Sequence, residues 1–228
     1  RRLVRRPGDE GDWGQGQPTH GQPDAERQTK MKIEYYYSHV SPWTFMGHQR
    51  LIDMAVKHGA EIDFVPLTLA KVFPVSGGLP LGKRAPQRQE YRMWELKRWP
   101  AYLGIEINIE PAHFPVDDGP SAKIAGLAKQ QGGDIADLSG AFLGAVWQQE
   151  RDITDPDTLI AIANENGFNG KALYEESITE AGEGVLEANS QRAIDTGVYG
   201  SPFYIVGGEP FWGQDRLDLL ERVLAKVT

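Results

Sequence analysis

The chain of 228 residues contains no cysteine. That absence excludes a disulfide framework, a thiolate metal site and a cysteine nucleophile, and is compatible with a cytoplasmic protein. No apolar run approaches the ~20 residues needed to cross a bilayer, so no membrane span is expected. Positive charge is also short: 24 Lys and Arg stand against 32 Asp and Glu, a net charge of -8. The pI is about 5.2, the reverse of the balance that marks a nucleic-acid binder. His39, His48, His58 and His113 fall at no metal-ligand spacing, and no metal site is expected. What remains is a globular composition, 40% hydrophobic, with a mean hydropathy of -0.46. The length suits one large domain, or a small domain carrying an insertion.

Residues 1–30 differ in kind from the rest. They are rich in Gly, Pro, Gln, Arg and Asp, and Leu3, Val4 and Trp13 are their large apolar groups. Such a segment buries too little surface to offset its ordering entropy, so it reads as a disordered extension or a cloning remnant before Met31. It lacks the apolar stretch of a secretory signal.

From Met31 onward the pattern is regular. Lys32 to Tyr37 is short and β-rich, hence a strand. A helix follows, opened by Ser41-Pro42 and closed by Gly59, with Phe45, Leu51, Ile52, Ala55 and Val56 near helical spacing. Ile62 to Leu67 reads as a second strand, with Pro66 marking its end or an edge. The unit is a right-handed βαβ. Val75 to Gly82 reads as a loop, and Gln87 to Gly104 as a helix with Tyr91, Trp94, Leu96, Trp99 and Leu103 available for burial. After the loop Pro111 to Pro120, helices are expected over 122–131, 135–149, 156–165, 171–176 and 179–196. Asp155 caps the third of these helices. Pro202 to Val206 and Glu209 to Trp212 form a hairpin about Gly207-Gly208, and Asp215 to Lys226 closes the chain as a helix. The order βαβ, many helices, ββα predicts an α/β thioredoxin-like fold. Its halves are 31–74 and 197–228, and an all-helical insertion occupies 75–196.

Three places carry candidate chemistry. Ser41-Pro42-Trp43-Thr44 sits at a strand-to-helix junction, where Cys-x-x-Cys stands in thioredoxin-like proteins that handle disulfides. Hydroxyls replace both sulfurs. A helix N-terminus stabilises an anion and lowers the pKa of a thiol brought to it, and Ser41 there would donate a hydrogen bond to that sulfur. Ser41 reads equally as a plain N-cap. Gly200-Ser201-Pro202 enters a strand after glycine-rich chain and is a candidate cis turn, whose Ser201 backbone would pair with an extended peptide. An ordinary loop-to-strand turn is the other reading. Trp212-Gly213-Gln214-Asp215 precedes the last helix. Asp215 serves there either as a cap or as the acceptor for a ligand ammonium, with Gln214 and nearby backbone for a ligand carboxylate.

These motifs together resemble the 2-hydroxychromene-2-carboxylate isomerases, DsbA-like enzymes related to the kappa-class glutathione transferases. The resemblance rests on Ser41-Pro42, Gly200-Ser201-Pro202, Trp212 to Leu217 and Glu95-Leu96-Lys97-Arg98-Trp99, and it covers about the last 200 residues. It implies glutathione as cofactor, with Ser41 catalytic and Ser41, Ser201, Pro202, Trp212, Gly213, Gln214 and Asp215 binding glutathione. It implies an aromatic carboxylate substrate from aromatic hydrocarbon catabolism, held by Trp43, Lys83 and Phe114. A lysine seen in some members falls near Phe73 here, and Lys83, Arg84 and Arg88 are the cations that would replace it. A homodimer is among the arrangements such relatives adopt. Two other readings stay open, a kappa-like glutathione transferase and a non-catalytic DsbA-like binder of peptides or thiols.

Overall fold

The computed structural model describes residues 30–226, so the disorder expected for the N-terminal segment lies outside the described residues. The elements run β1 (Lys32–Tyr37), α1 (Pro42–His58), β2 (Glu61–Pro66), α2 (Leu69–Ser76), α3 (Pro86–Leu103), α4 (Gly119–Gln130) and α5 (Ala136–Trp147). They continue with α6 (Pro156–Glu165), α7 (Gly170–Ser177), α8 (Glu180–Asp195), β3 (Phe203–Val206), β4 (Glu209–Trp212) and α9 (Leu217–Leu224). Single 3-10 turns occupy Leu81–Lys83 and Gln214–Arg216.

The strands form one sheet in the order β2-β1-β3-β4. β1 and β2 are parallel, as a βαβ crossover requires, while β3 runs antiparallel to both β1 and β4. Tyr35-Tyr36-Tyr37 is fully buried because both faces of the sheet are covered. Alternate side chains leave opposite faces of a strand. Ile33, Tyr35, Tyr37, Phe64, Tyr204 and Val206 accordingly join the large core with α1, α4, α5 and α9. Tyr36, Val65, Phe203 and Ile205 meet Val72 and Ala193 on the other side. Tyr35 stacks on Tyr37 at 4.4 Å and on Tyr204 at 5.4 Å between ring centroids, which locks β1 against β3. The large core also takes in Leu159 and Leu173, so the helices between β2 and β3 share it with the sheet.

Asp63 on β2 ties this block to the sheet. It is buried, and it receives Lys129 of α4, Arg192 of α8 and Lys32 of β1. Burial alone would raise its pKa, but those three cations hold the carboxyl well below its usual range.

Two expectations fail. The segment Val75 to Gly82 is not all loop, since its first residues end helix α2, which Thr68 caps through the Ala70 N–H. Pro74 lies inside that eight-residue helix and masked it in the sequence. The aromatic residues of α3 are largely not buried: Tyr91 is 59% and Trp94 53% exposed, while Leu96, as expected, is buried, together with Pro100. Lys97 and Arg98 lie over the Trp94 ring, so its outward position is covered by cations rather than by core.

Candidate active site

The site starts where β1 ends. Ser38 to Val40 turn the chain, with the Ser41 N–H donating to the Ser38 carbonyl at 3.2 Å. Ser41 then takes the N-cap position of α1 in an extended conformation, and its Oγ accepts the Thr44 N–H at 3.2 Å. Proline at the first helical position has no N–H to lose there. The Phe45 N–H goes to the Ser41 carbonyl. The Trp43 N–H is left as the first-turn donor with no acceptor among the described residues, at the positive end of a helix of 17 residues.

The Ser201–Pro202 peptide is cis and lies against this helix start. The Ser41 hydroxyl donates to the Ser201 carbonyl at 3.2 Å. The Ser201 hydroxyl bonds Thr44 Oγ1 at 2.8 Å and accepts the Ser38 N–H at 2.9 Å. Both hydroxyls that stand in place of sulfurs therefore bond one residue, Ser201. The Ser201 N–H has no acceptor among the described residues. Its carbonyl, already taking Ser41, keeps a second lone pair. Ser41 is 7% exposed and Ser201 6%, so both hydroxyls lie almost wholly out of water.

The third motif joins the other two. The Gly213 N–H donates to the Pro202 carbonyl at 3.0 Å. Gly213 adopts φ 100, and a Cβ there would lie 2.5 Å from Asp215 Oδ1, so only glycine fits. Gln214 is turned inward and buried. Its Oε1 takes Arg50 Nη1 of α1 at 2.7 Å, and its carbonyl accepts the same Nη1 at 3.3 Å, so its side chain is already engaged. Asp215 does not cap α9. It is partly exposed, and it pairs with Arg216 at 2.9 Å. Trp212 is half-exposed beside Tyr199, with ring centroids 5.0 Å apart, and together they flank the cis turn. Gly200 permits this closeness, because a Cβ there would collide with Trp212 Nε1.

Of the expected substrate residues, Trp43 is half-buried on the first turn of α1. Lys83 is exposed, and no hydrogen bond or ion pair joins it to the Ser41 loop. Phe114 packs on Trp147 at 5.0 Å and lies beneath the Arg92 guanidinium. The segment after Phe114 reaches the site at Asp118, whose buried carboxylate accepts the Ser38 hydroxyl. Burial pushes Asp118 up to about 6, against hydrogen bonds from Ser38 and Thr68 that favour its charged form. His39, in the loop between β1 and α1, is wholly buried. Its Nδ1 meets Ser121 Oγ at 2.9 Å, and burial lowers its pKa to about 3, so it stays neutral.

A family model described as a DSBA-like thioredoxin domain matches residues 32–225. The chain belongs to that family. This DSBA-like protein is 28% identical over 193 residues to 2-hydroxychromene-2-carboxylate isomerase of Sphingobium xenophagum, covering 84% of this chain and 97% of the relative. It is 24% identical over 211 residues to glutathione S-transferase kappa 1 of Homo sapiens, covering 85% and 91% respectively. Among solved structures, a 2-hydroxychromene-2-carboxylate isomerase superposes with a TM-score of 0.73 at 22% identity, over 86% of this chain and 96% of that one. The DSBA-like fold and the likeness to this isomerase group, both expected from the sequence, hold.

Three participants escaped the sequence reading. Ser38 and Asp118 meet across 80 residues, and Arg50 meets Gln214 across 164. No local spacing signals such pairs. Asp118, preceding Gly119-Pro120 at a helix start, reads locally as a cap.

Proposed function

We propose that this protein is a glutathione-dependent isomerase of 2-hydroxychromene-2-carboxylate-like aromatic acids, acting in the cytoplasm, where glutathione is kept reduced. The observation that carries the reading is the Ser41 hydroxyl set against the Ser201 carbonyl beside an unused Trp43 N–H. Relatives named as 2-hydroxychromene-2-carboxylate isomerases and as kappa glutathione transferases support it.

The residues present fit a γ-glutamyl tripeptide. The free Ser201 N–H and the spare lone pair of its carbonyl match the backbone of an extended peptide. Pro202 holds the turn by accepting Gly213. Asp215 is a partly exposed carboxylate for an ammonium, and the Gln214 N–H beside it, without an acceptor among the described residues, is a backbone donor for a ligand carboxylate. Trp212 walls the side. Bound glutathione would supply a thiolate that adds to the conjugated ring system and leaves after ring opening and rotation about a carbon–carbon bond.

Ser41 keeps that sulfur ionised. Its hydroxyl turns from the Ser201 carbonyl, a long bond at 3.2 Å, and donates to the anion instead. The Trp43 N–H and the α1 N-terminus add to the same field. Low exposure of Ser41 and Ser201 excludes water and strengthens both effects.

Calorimetric titration with glutathione tests the reading. Binding is expected at millimolar ligand or below, and no detectable binding there removes it. Ser41→Ala is expected to keep binding and to lose most of the isomerisation rate. The likeness to the human kappa enzyme favours a second reading, glutathione transfer. Conjugation of a simple aryl halide without isomerase turnover would select it, and no activity in either form would leave a binding protein.

A further inference from the structure

Arg84, Arg88 and Arg92 gather at the start of α3 with no acid to balance them. Arg88 and Arg92 are four apart on the helix, hence neighbours on one face, where like charges repel. Arg84 lies two residues before the helix, where its carbonyl accepts the Gln89 side-chain amide at 2.8 Å, and burial first, then the charge of Arg88, lowers its pKa. None of the three forms an ion pair with an acid among the described residues. The nearby Glu95 is taken by Arg98 at 2.8 Å and by the Trp99 ring N–H at 2.9 Å, and Glu90 forms no ion pair among the described residues.

Arg84 and Arg92 are half-buried and held in place. Arg84 Nε donates to the Leu79 carbonyl at 2.9 Å. The Arg92 guanidinium lies 5.3 Å from the Phe114 ring centroid. Burial, with the neighbouring Arg84 charge, lowers the Arg92 pKa to about 10, which leaves it charged at neutral pH. Fixed, partly desolvated cations that repel one another lower their energy by taking an anion, and a guanidinium pair presents forked donors that match a carboxylate. Phe114 beside them adds an aromatic surface. The backbone from Phe114 to Asp118 spans at most ~14 Å, and Asp118 bonds Ser38 at the edge of the Ser41 loop.

We propose that Arg84 and Arg92, with Arg88 at the rim and Phe114 alongside, form the subsite that takes the carboxylate of the aromatic substrate. The assignment rests on the isomerase reading for the identity of the reaction, not for the chemistry of the ligand. It gives Lys83 no part, since the paired guanidiniums supply the charge from fixed positions.

Two measurements test it. Salicylate and its neutral amide, titrated into wild type, compare an aromatic carboxylate with an uncharged match. Salicylate is expected to bind at least tenfold more tightly, and Arg84→Gln and Arg92→Ala each are expected to erase that preference while glutathione affinity stays unchanged. Steady-state isomerisation of the chromene carboxylate should show KM raised tenfold or more in both variants, with a smaller change in kcat. Arg92→Lys, which keeps a charge and folds if Arg92→Ala does not, should recover part of the loss. Equal binding of salicylate and its amide, or a preference untouched by Arg84→Gln, overturns the assignment. Salicylate preference without isomerase turnover upholds the subsite and refutes the isomerase reading alone.

Discussion

Asp118 accepts the hydroxyl of Ser38, and the Ser38 N–H in turn holds the hydroxyl of Ser201. A buried carboxylate from the helical block thus orients the cis turn from behind. Thr68 gives it a further hydrogen bond, and the exposed Asp117 beside it opposes its charge. No cation pairs with Asp118 among the described residues.

This arrangement has a pH signature. Asp118 titrates at about 6 in the folded protein, against an ordinary value of 3.8. The folded state then holds the proton more tightly than the unfolded chain. The contribution of this group to stability falls as pH rises between those values and levels off above. Asp118→Asn is expected to gain roughly 2 kcal/mol on wild type between pH 4 and pH 7. Urea unfolding of both proteins at the two pH values reads the difference; a gap that does not move with pH would contradict it.

Asp63 behaves in the opposite sense. Its carboxyl is held low by Lys129, Arg192 and Lys32, so its stabilisation is complete above the usual Asp range and is lost as pH falls below it. Asp63→Asn leaves three cations around a neutral amide, and because each cation is more than a third exposed and screened by solvent, a loss of about 1–3 kcal/mol is expected at pH 7. The loss should shrink at pH 3. Denaturant midpoints at each pH check both parts.

Removing the Ser41 hydroxyl takes away one donor to the bound sulfur. Ser41→Ala is expected to lower kcat by about 10²–10³ and to raise the pKa of the bound thiol, visible as a shift in the pH at which thiolate ultraviolet absorbance appears. Thr44 Oγ1 still holds Ser201 in this variant, so the turn should persist. An unchanged thiol pKa would remove Ser41 from the role.

Gly200→Ala tests the aromatic wall. The added methyl group collides with Trp212 Nε1, so the indole must move away from Tyr199. Glutathione affinity is expected to fall about tenfold, or ~1.4 kcal/mol, with a change in tryptophan emission. Affinity equal to wild type would mean that Trp212 does not line the ligand site.

The legible parts of this protein were those written locally. Ser41-Pro42 signals a helix start, Gly207-Gly208 a hairpin, and Asp155-Pro156 a cap, because each needs a few adjacent residues. Helix α2 was hidden because Pro74, Gly77, Gly78 and Pro80 crowd its end, and such residues read as loop. The inward turn of Gln214 was illegible because Arg50, its partner, comes from a distant helix. The burial of His39 has no local signal either, because Tyr37 and Phe142, which enclose it, come from a strand and a distant helix. Tyr91 and Trp94 keep helical spacing for burial, but α3 turns them outward under Lys97 and Arg98.

A chain with hydroxyls and no cysteine offers oxidants and alkylating agents no reactive thiol of its own. On the proposed reading, the vulnerable atom belongs to a molecule that dissociates. Chemical injury at the reaction centre would then be cured by exchange with the surrounding pool, and the polypeptide would need no reductase to restore it.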